Sequence, residues 1–280
     1  MNAPGVLKLG RAAVLLAGLG LPLQASAVHY DVEIRTSAGP VAGSRLLVDF
    51  YGDLDLAEGL PVDTATGYKI FPGYFDDLEG GPRLTNDPGF QAFPGTLLPG
   101  EAIHFRALGT LEYWDIAATG WSAAPAAAGI RLYGGIPGDV VLNYLLNPFS
   151  PTAIADYAYW ADGTRYSAAD IQGPVSAIID DAKSNGAFHA HLDWELDAAS
   201  LPGVYLLTLQ LWSPVELNGM AKYADSDPFM IIFKSAGVQD SLLVDALRAR
   251  VAPVPEPQSY LMLLAGLALV GGAVRRRMRR

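Results

Sequence analysis

The stretch Val28-His29-Tyr30-Asp31-Val32-Glu33-Ile34-Arg35 alternates strictly between apolar and polar residues. A period of two is the pattern of a β-strand with one buried face, and it excludes a helix over these residues. Short apolar runs of similar length recur through 28–250, separated by Gly, Pro, Asn and Asp. The chain carries 30 glycines and 20 prolines, which punctuate helices and favour turns between short strands. Further strands are predicted at 45–51, 102–108, 129–133, 140–146, 188–194, 204–212 and 229–234. In the run 204–212, Tyr205, Leu207, Leu209 and Leu211 share one face, and the other face is mixed. Residues 60–100 read as long Gly/Pro-rich loops, and 240–250 as a helix through Leu243, Val244 and Leu247. The expected fold is all-β: a single β-sandwich over 28–237. A short helix and Pro-rich tether then follow over 238–257.

Both ends of the chain read as addresses. Residues 1–27 combine Lys8 and Arg11, an apolar core over 12–23, and the small-residue box Ala25-Ser26-Ala27, the pattern of a secretory signal peptide with a signal helix. At the other end, Pro255-Glu256-Pro257 precedes an apolar run over 260–274 and then Arg275, Arg276, Arg277, Arg279 and Arg280. Fifteen helical residues span about 22 Å, short for a transmembrane helix in a hydrocarbon core of about 30 Å. The arginines act as a stop that keeps the extreme C-terminus in the cytoplasm. This order of parts over 254–280 closely resembles the PEP-CTERM sorting signal of Gram-negative bacteria. The resemblance implies processing by an exosortase and a final place in the cell envelope, at the cell surface or in the extracellular matrix. The inner membrane is then a transient station, and extracellular polysaccharide is an expected partner.

Between the two addresses stand 12 basic and 28 acidic side chains, a net charge of −16. So acidic a surface repels phosphate backbones, so nucleic acid is not an expected partner. Cysteine is absent, which removes thiolate nucleophiles, Fe–S ligation and disulfide scaffolds.

The chemistry that remains concentrates in histidine. Of the four, His189 and His191 stand on one face of the 188–194 strand together with Asp193; Phe188, Ala190, Leu192 and Trp194 take the other face. Same-face neighbours lie about 6.6–7 Å apart along a strand, so two imidazoles can converge on one ion at about 2.0–2.1 Å each. His29 stands on the polar face of the first strand beside Asp31, and is the expected third ligand. Asp31 or Asp193 is a candidate fourth ligand or an orienting partner. Imidazole donors without thiolate favour Zn²⁺ or Cu²⁺ over Ca²⁺ or Mg²⁺.

The segment His189-Ala190-His191-Leu192-Asp193-Trp194-Glu195-Leu196, followed by Pro202-Gly203-Val204-Tyr205, also resembles the H-x-H-x-x-W and P-G-x-Y motifs of the choice-of-anchor M, or actinobacterial surface-anchored, domain. That likeness implies a β-sandwich surface protein, with relatives linked to metal uptake and with His29, His189 and His191 as the matching histidines. No H-E-x-x-H, G-x-S-x-G, P-loop or Rossmann fingerprint occurs. The chain therefore reads as an exported binding or structural protein and not as an enzyme. The alternative is a secreted carbohydrate-active or metal-dependent hydrolase, built on acid pairs such as Asp76 and Asp77 or on aromatics such as Tyr157, Tyr159 and Trp160.

Overall fold

The computed structural model describes residues 30–52, 60–75 and 81–251. The expected signal helix, His29, the Pro255-Glu256-Pro257 motif, the transmembrane helix and the arginine stop lie outside these residues. Within them the chain is mainly β. In order come β1 (Tyr30–Thr36), β2 (Ser44–Gly52), β3 (Ile70–Tyr74), β4 (Leu84–Thr85), β5 (Gly89–Ala92), β6 (Ala102–Asp115), β7 (Gly120–Ala123) and β8 (Gly129–Tyr133). Two helices, α1 (Gly138–Leu146) and α2 (Pro151–Ala161), then precede β9 (Thr164–Ser167), β10 (Ile171–Gln172), β11 (Ser176–Asp181), β12 (Phe188–Ala190), β13 (Asp193–Leu196) and β14 (Val204–Trp212). The last elements are β15 (Glu216–Leu217), β16 (Met220–Ala221), β17 (Tyr223–Ala224), β18 (Phe229–Lys234) and α3 (Asp240–Arg248).

One layer is a six-stranded sheet in the order β11-β6-β14-β18-β3, with β7 added beside β6. Its alternation sorts its two faces. Tyr205, Leu207, Leu209 and Leu211 of β14 and Phe229, Ile231 and Phe233 of β18 enter the main core. Val204, Leu206, Met230 and Ile232 face the other way and are covered by Leu243 and Ala246 of α3. That second apolar face explains why β18 is buried along its whole length.

The opposite layer consists of two five-stranded sheets, β12-β5-β1-β2-β17 and β10-β9-β8-β13-β4. They share a ribbon. β12 pairs antiparallel with β5, as in Phe188↔Ala92 and Ala190↔Phe90, and β13 pairs antiparallel with β4, as in Trp194↔Thr85. Between these two pairings, residues 86–89 of one strand oppose residues 191–193 of the other. One strand thus carries an extra residue, and a bulge of that kind bends a ribbon and re-aims its side chains. The bend joins the two sheets into a single layer, and Val32, Phe90, Ile130, Tyr166 and Trp194 from both halves pack into the same core as β14 and β18.

Several sequence expectations are corrected. Residues 60–100 are not simply loops: they supply β3, β4 and β5, the last two forming half of the shared ribbon. The predicted strand at 140–146 is helix α1, which forms with α2 a hairpin inserted between β8 and β9 of the mainly β fold. A short apolar run has no decisive period, and here Asp139 in the first turn suits the helix N-terminus. Ser150 caps α2 by accepting from the Ala153 amide, with Pro151 in the first turn. The 188–194 strand is two strands, broken at the bend.

Glu101, just before β6, ties the six-stranded sheet to β17 of the opposite layer. It is buried, and accepts from the Leu98 amide at 2.8 Å, from the Tyr223 hydroxyl at 2.6 Å and from Lys222 Nζ. Burial opposes its ionisation, but the donors from Lys222, Tyr223 and Leu98 outweigh that cost and hold its carboxyl below the usual glutamate range. A carboxyl depressed in the folded state stabilises the fold above its ordinary value near 4.5 and loses that contribution as pH falls through the depressed value. Urea midpoints should therefore drop on acidification below about pH 4.5, and the drop should be smaller in Glu101→Gln.

Trp194 is fully buried, with its ring 5.0 Å from that of Phe233 in the opposite layer. Trp194→Ala should cost about 3–5 kcal/mol. His189→Ala, half exposed on the other face of the ribbon, should cost less than about 1 kcal/mol in metal-free protein. Chemical denaturation of both variants measures the contrast, and equal losses would contradict the assignment of faces.

Candidate metal centre

The bend in the ribbon gathers three donors: Asp31, His189 and His191, whose ligand atoms lie within 4.8 Å of one another. The register explains how they meet. Asp31 of β1 pairs with Gly89 of β5, and Ala190↔Phe90 places His191 across from Gly89 on the other side. Asp31 and His191 thus flank Gly89 in one cross-strand row, two strand spacings or about 9.6 Å apart at the backbone. Glycine leaves the space over which the two side chains lean together. A Cβ at position 89 would lie 2.6 Å from Asp31 Oδ1 and 2.9 Å from His191 Nδ1. His189, two residues before His191, adds the third donor from the same face.

The three donors are close enough to bear on one ion. His189 Nε2 is 3.1 Å from Asp31 Oδ2 and 2.9 Å from His191 Nε2. Two donors each about 2.05 Å from an ion and 90° apart are about 2.9 Å from each other. The orientation of His191 is set from behind: Nδ1 lies 3.0 Å from the carbonyl oxygen of Asn86 and 3.2 Å from Asp87 Oδ1. A carbonyl only accepts, so Nδ1 carries the proton and the neutral ring aims the Nε2 lone pair at the cluster. The hydrogen bond to Asp87 raises the His191 pKa; burial opposes it, while Asn86 and the charge of Asp31 reinforce it. Asp31 is itself fixed, because the buried Gly89 amide donates to its Oδ1 at 3.1 Å.

Of the expected ligands, His189 and His191 come together and His29 lies outside the described residues. Asp31, read from sequence as a fourth or orienting group, is a full member of the cluster. The signal for it was its place on the polar face of the first strand. Asp193 is exposed and is not part of the group. His104 is elsewhere, on β6, with its ring 4.9 Å from that of Trp212 and its pKa lowered by burial. Of the aromatics named for the carbohydrate-active alternative, Tyr157 stacks on Tyr144 within the α1–α2 hairpin, and the Tyr159 and Trp160 rings meet edge to face at 5.9 Å.

Residues 253–280 match the PEP-CTERM protein-sorting motif. The chain thus carries the signal of an exported protein that is sorted to the cell envelope or surface through an exosortase at the membrane. No curated protein and no solved structure matches the chain.

Gly89 has an ordinary backbone conformation, so alanine there is opposed only by the side chains above it. Gly89→Ala should displace the Asp31 carboxylate from its amide donor, destabilise the fold by about 1–3 kcal/mol, and separate the three donors. Histidine side-chain NMR shifts should move at His189 and His191 and stay constant at His104.

Proposed function

We propose that this protein is an exosortase-processed surface or matrix protein whose β-sandwich binds a transition metal ion, Zn²⁺ or Cu²⁺, through Asp31, His189 and His191. The observation that carries the reading is the convergence of two imidazole nitrogens and one buried carboxylate at 2.9 and 3.1 Å, with Asp31 far in sequence from the two histidines. The outer support on His191 from Asn86 and Asp87 agrees with it, since metal-bound imidazoles usually donate their second N–H to a carbonyl or carboxylate. The resemblance of the H-x-H segment to surface domains linked to metal uptake points the same way. Binding, not catalysis, is the role: the donors hold an ion at the surface of a rigid ribbon, and the sequence supplies no catalytic motif.

Calorimetric titration of the purified protein with Zn²⁺ and with Cu²⁺ at neutral pH tests the proposal. One-to-one binding, micromolar or tighter, is expected. The His189→Ala/His191→Ala double variant should lose at least 100-fold in affinity. Wild-type protein that binds neither ion, or a variant that binds as well as wild type, would reduce the cluster to a hydrogen-bonded seam.

A further inference from the structure

Three features of the cluster, resting on the metal reading above, bear on what else the ion binds. The first is donor number: among the described residues the group has three members, Asp31, His189 and His191. The second is direction. Asp31 is 2% exposed and anchored on the Gly89 amide, so it approaches the ion from beneath. His191 is 27% exposed and held from the side by Asn86 and Asp87, and His189 is 49% exposed. Protein therefore occupies one side of the ion and solvent the other.

The third feature is the demand of the ion itself. Zn²⁺ and Cu²⁺ each take at least four ligands, more than the three donors of the group supply.

Charge selects the extra ligand. A divalent ion with one protein carboxylate carries a net charge of +1, within a domain segment whose own net charge is −16. Without the ion, Asp31 and the surrounding acidic surface repel anions. With it, the ion's charge offsets Asp31 and the Asp87 carboxylate behind His191, and an anionic oxygen donor can reach the ion from solvent.

We propose that the ion held by Asp31, His189 and His191 keeps a solvent-facing coordination position that takes an exogenous carboxylate, so that the domain captures carboxylate ligands only when loaded with metal. The probe is the purified protein loaded with one equivalent of Cu²⁺, followed by electron paramagnetic resonance and visible absorption during titration with acetate and, separately, with azide. A saturable spectral shift with each anion is expected. Metal-free protein should bind neither, and Asp31→Asn should weaken Cu²⁺ binding at least tenfold. One-to-one Cu²⁺ binding whose spectrum neither anion alters would overturn the open position while leaving the metal site standing. Failure to bind Cu²⁺ would overturn this proposal, and failure to bind Zn²⁺ as well would overturn the metal site. A His29→Ala variant completes the test. If anion binding appears only in that variant, His29 fills the position and the proposal is wrong.

Discussion

The packing of the 84–92 and 188–196 strands against each other governs the rest of this structure. Each of these strands lies at the edge of one five-stranded sheet and in the interior of the other. Neither sheet is complete without the ribbon they form, and the sheet opposite can be covered only if both halves are held at one angle. The inner face fixes that angle. Phe188 and Trp194, on either side of the bend, are both buried in the common core, and Trp194 also donates to Pro88 O at 3.4 Å across the bulge. The outer face of the same bend carries the polar cluster. A single irregularity thus serves packing on one side and ligand geometry on the other, in line with the tendency of bulges to occur beside functional sites.

This division explains which features were legible in the sequence. Long apolar runs bounded by turn residues, such as β14 and β18, were read to their ends, because Pro202-Gly203, Ser213-Pro214, Pro228 and Gly237 punctuate them. The faces of the 188–194 segment were also correctly read, since Phe188 and Trp194 are buried and His189 is not. The break within it was not legible, because the extra residue that causes it sits in the partner strand, about a hundred residues away. Strands β4 and β5 were missed for the same reason: at two and four residues they hold no period of their own and exist through their partners. The helix α1 was misread because only Val140 of its nine residues is buried, so its apolar run reflects no single core-facing stripe.

Asp31 illustrates a harder limit. Strand alternation places it on the polar face beside His29, but nothing local says that β1 runs next to β5 and, beyond it, β12. The pairing of β1 with β5 is parallel and joins residues nearly sixty positions apart. The decisive residue is Gly89, whose contribution is a missing side chain. A sequence reading that looks for donors overlooks the position that makes room for them.

The same economy governs where the domain ends. α3 closes the outer face of the six-stranded sheet, with Trp121 Nε1 donating to Ala246 O at 3.0 Å. Beyond it, the Arg250 carbonyl accepts from the Thr64 amide at 2.8 Å and from the Thr64 hydroxyl at 2.9 Å, and Val251 pairs with Asp63. The Arg250 guanidinium lies over the Trp121 ring at 5.0 Å and is paired with Glu112. The sorting motif begins at residue 253, two residues past this anchor. Even fully extended, the chain from Val251 to Pro255 covers no more than about 14 Å. The anchored end and the sorting motif are therefore separated by less than the width of a small domain. The order of elements then has a physical logic: the helix that seals the second core is followed within a few residues by the start of the sorting motif.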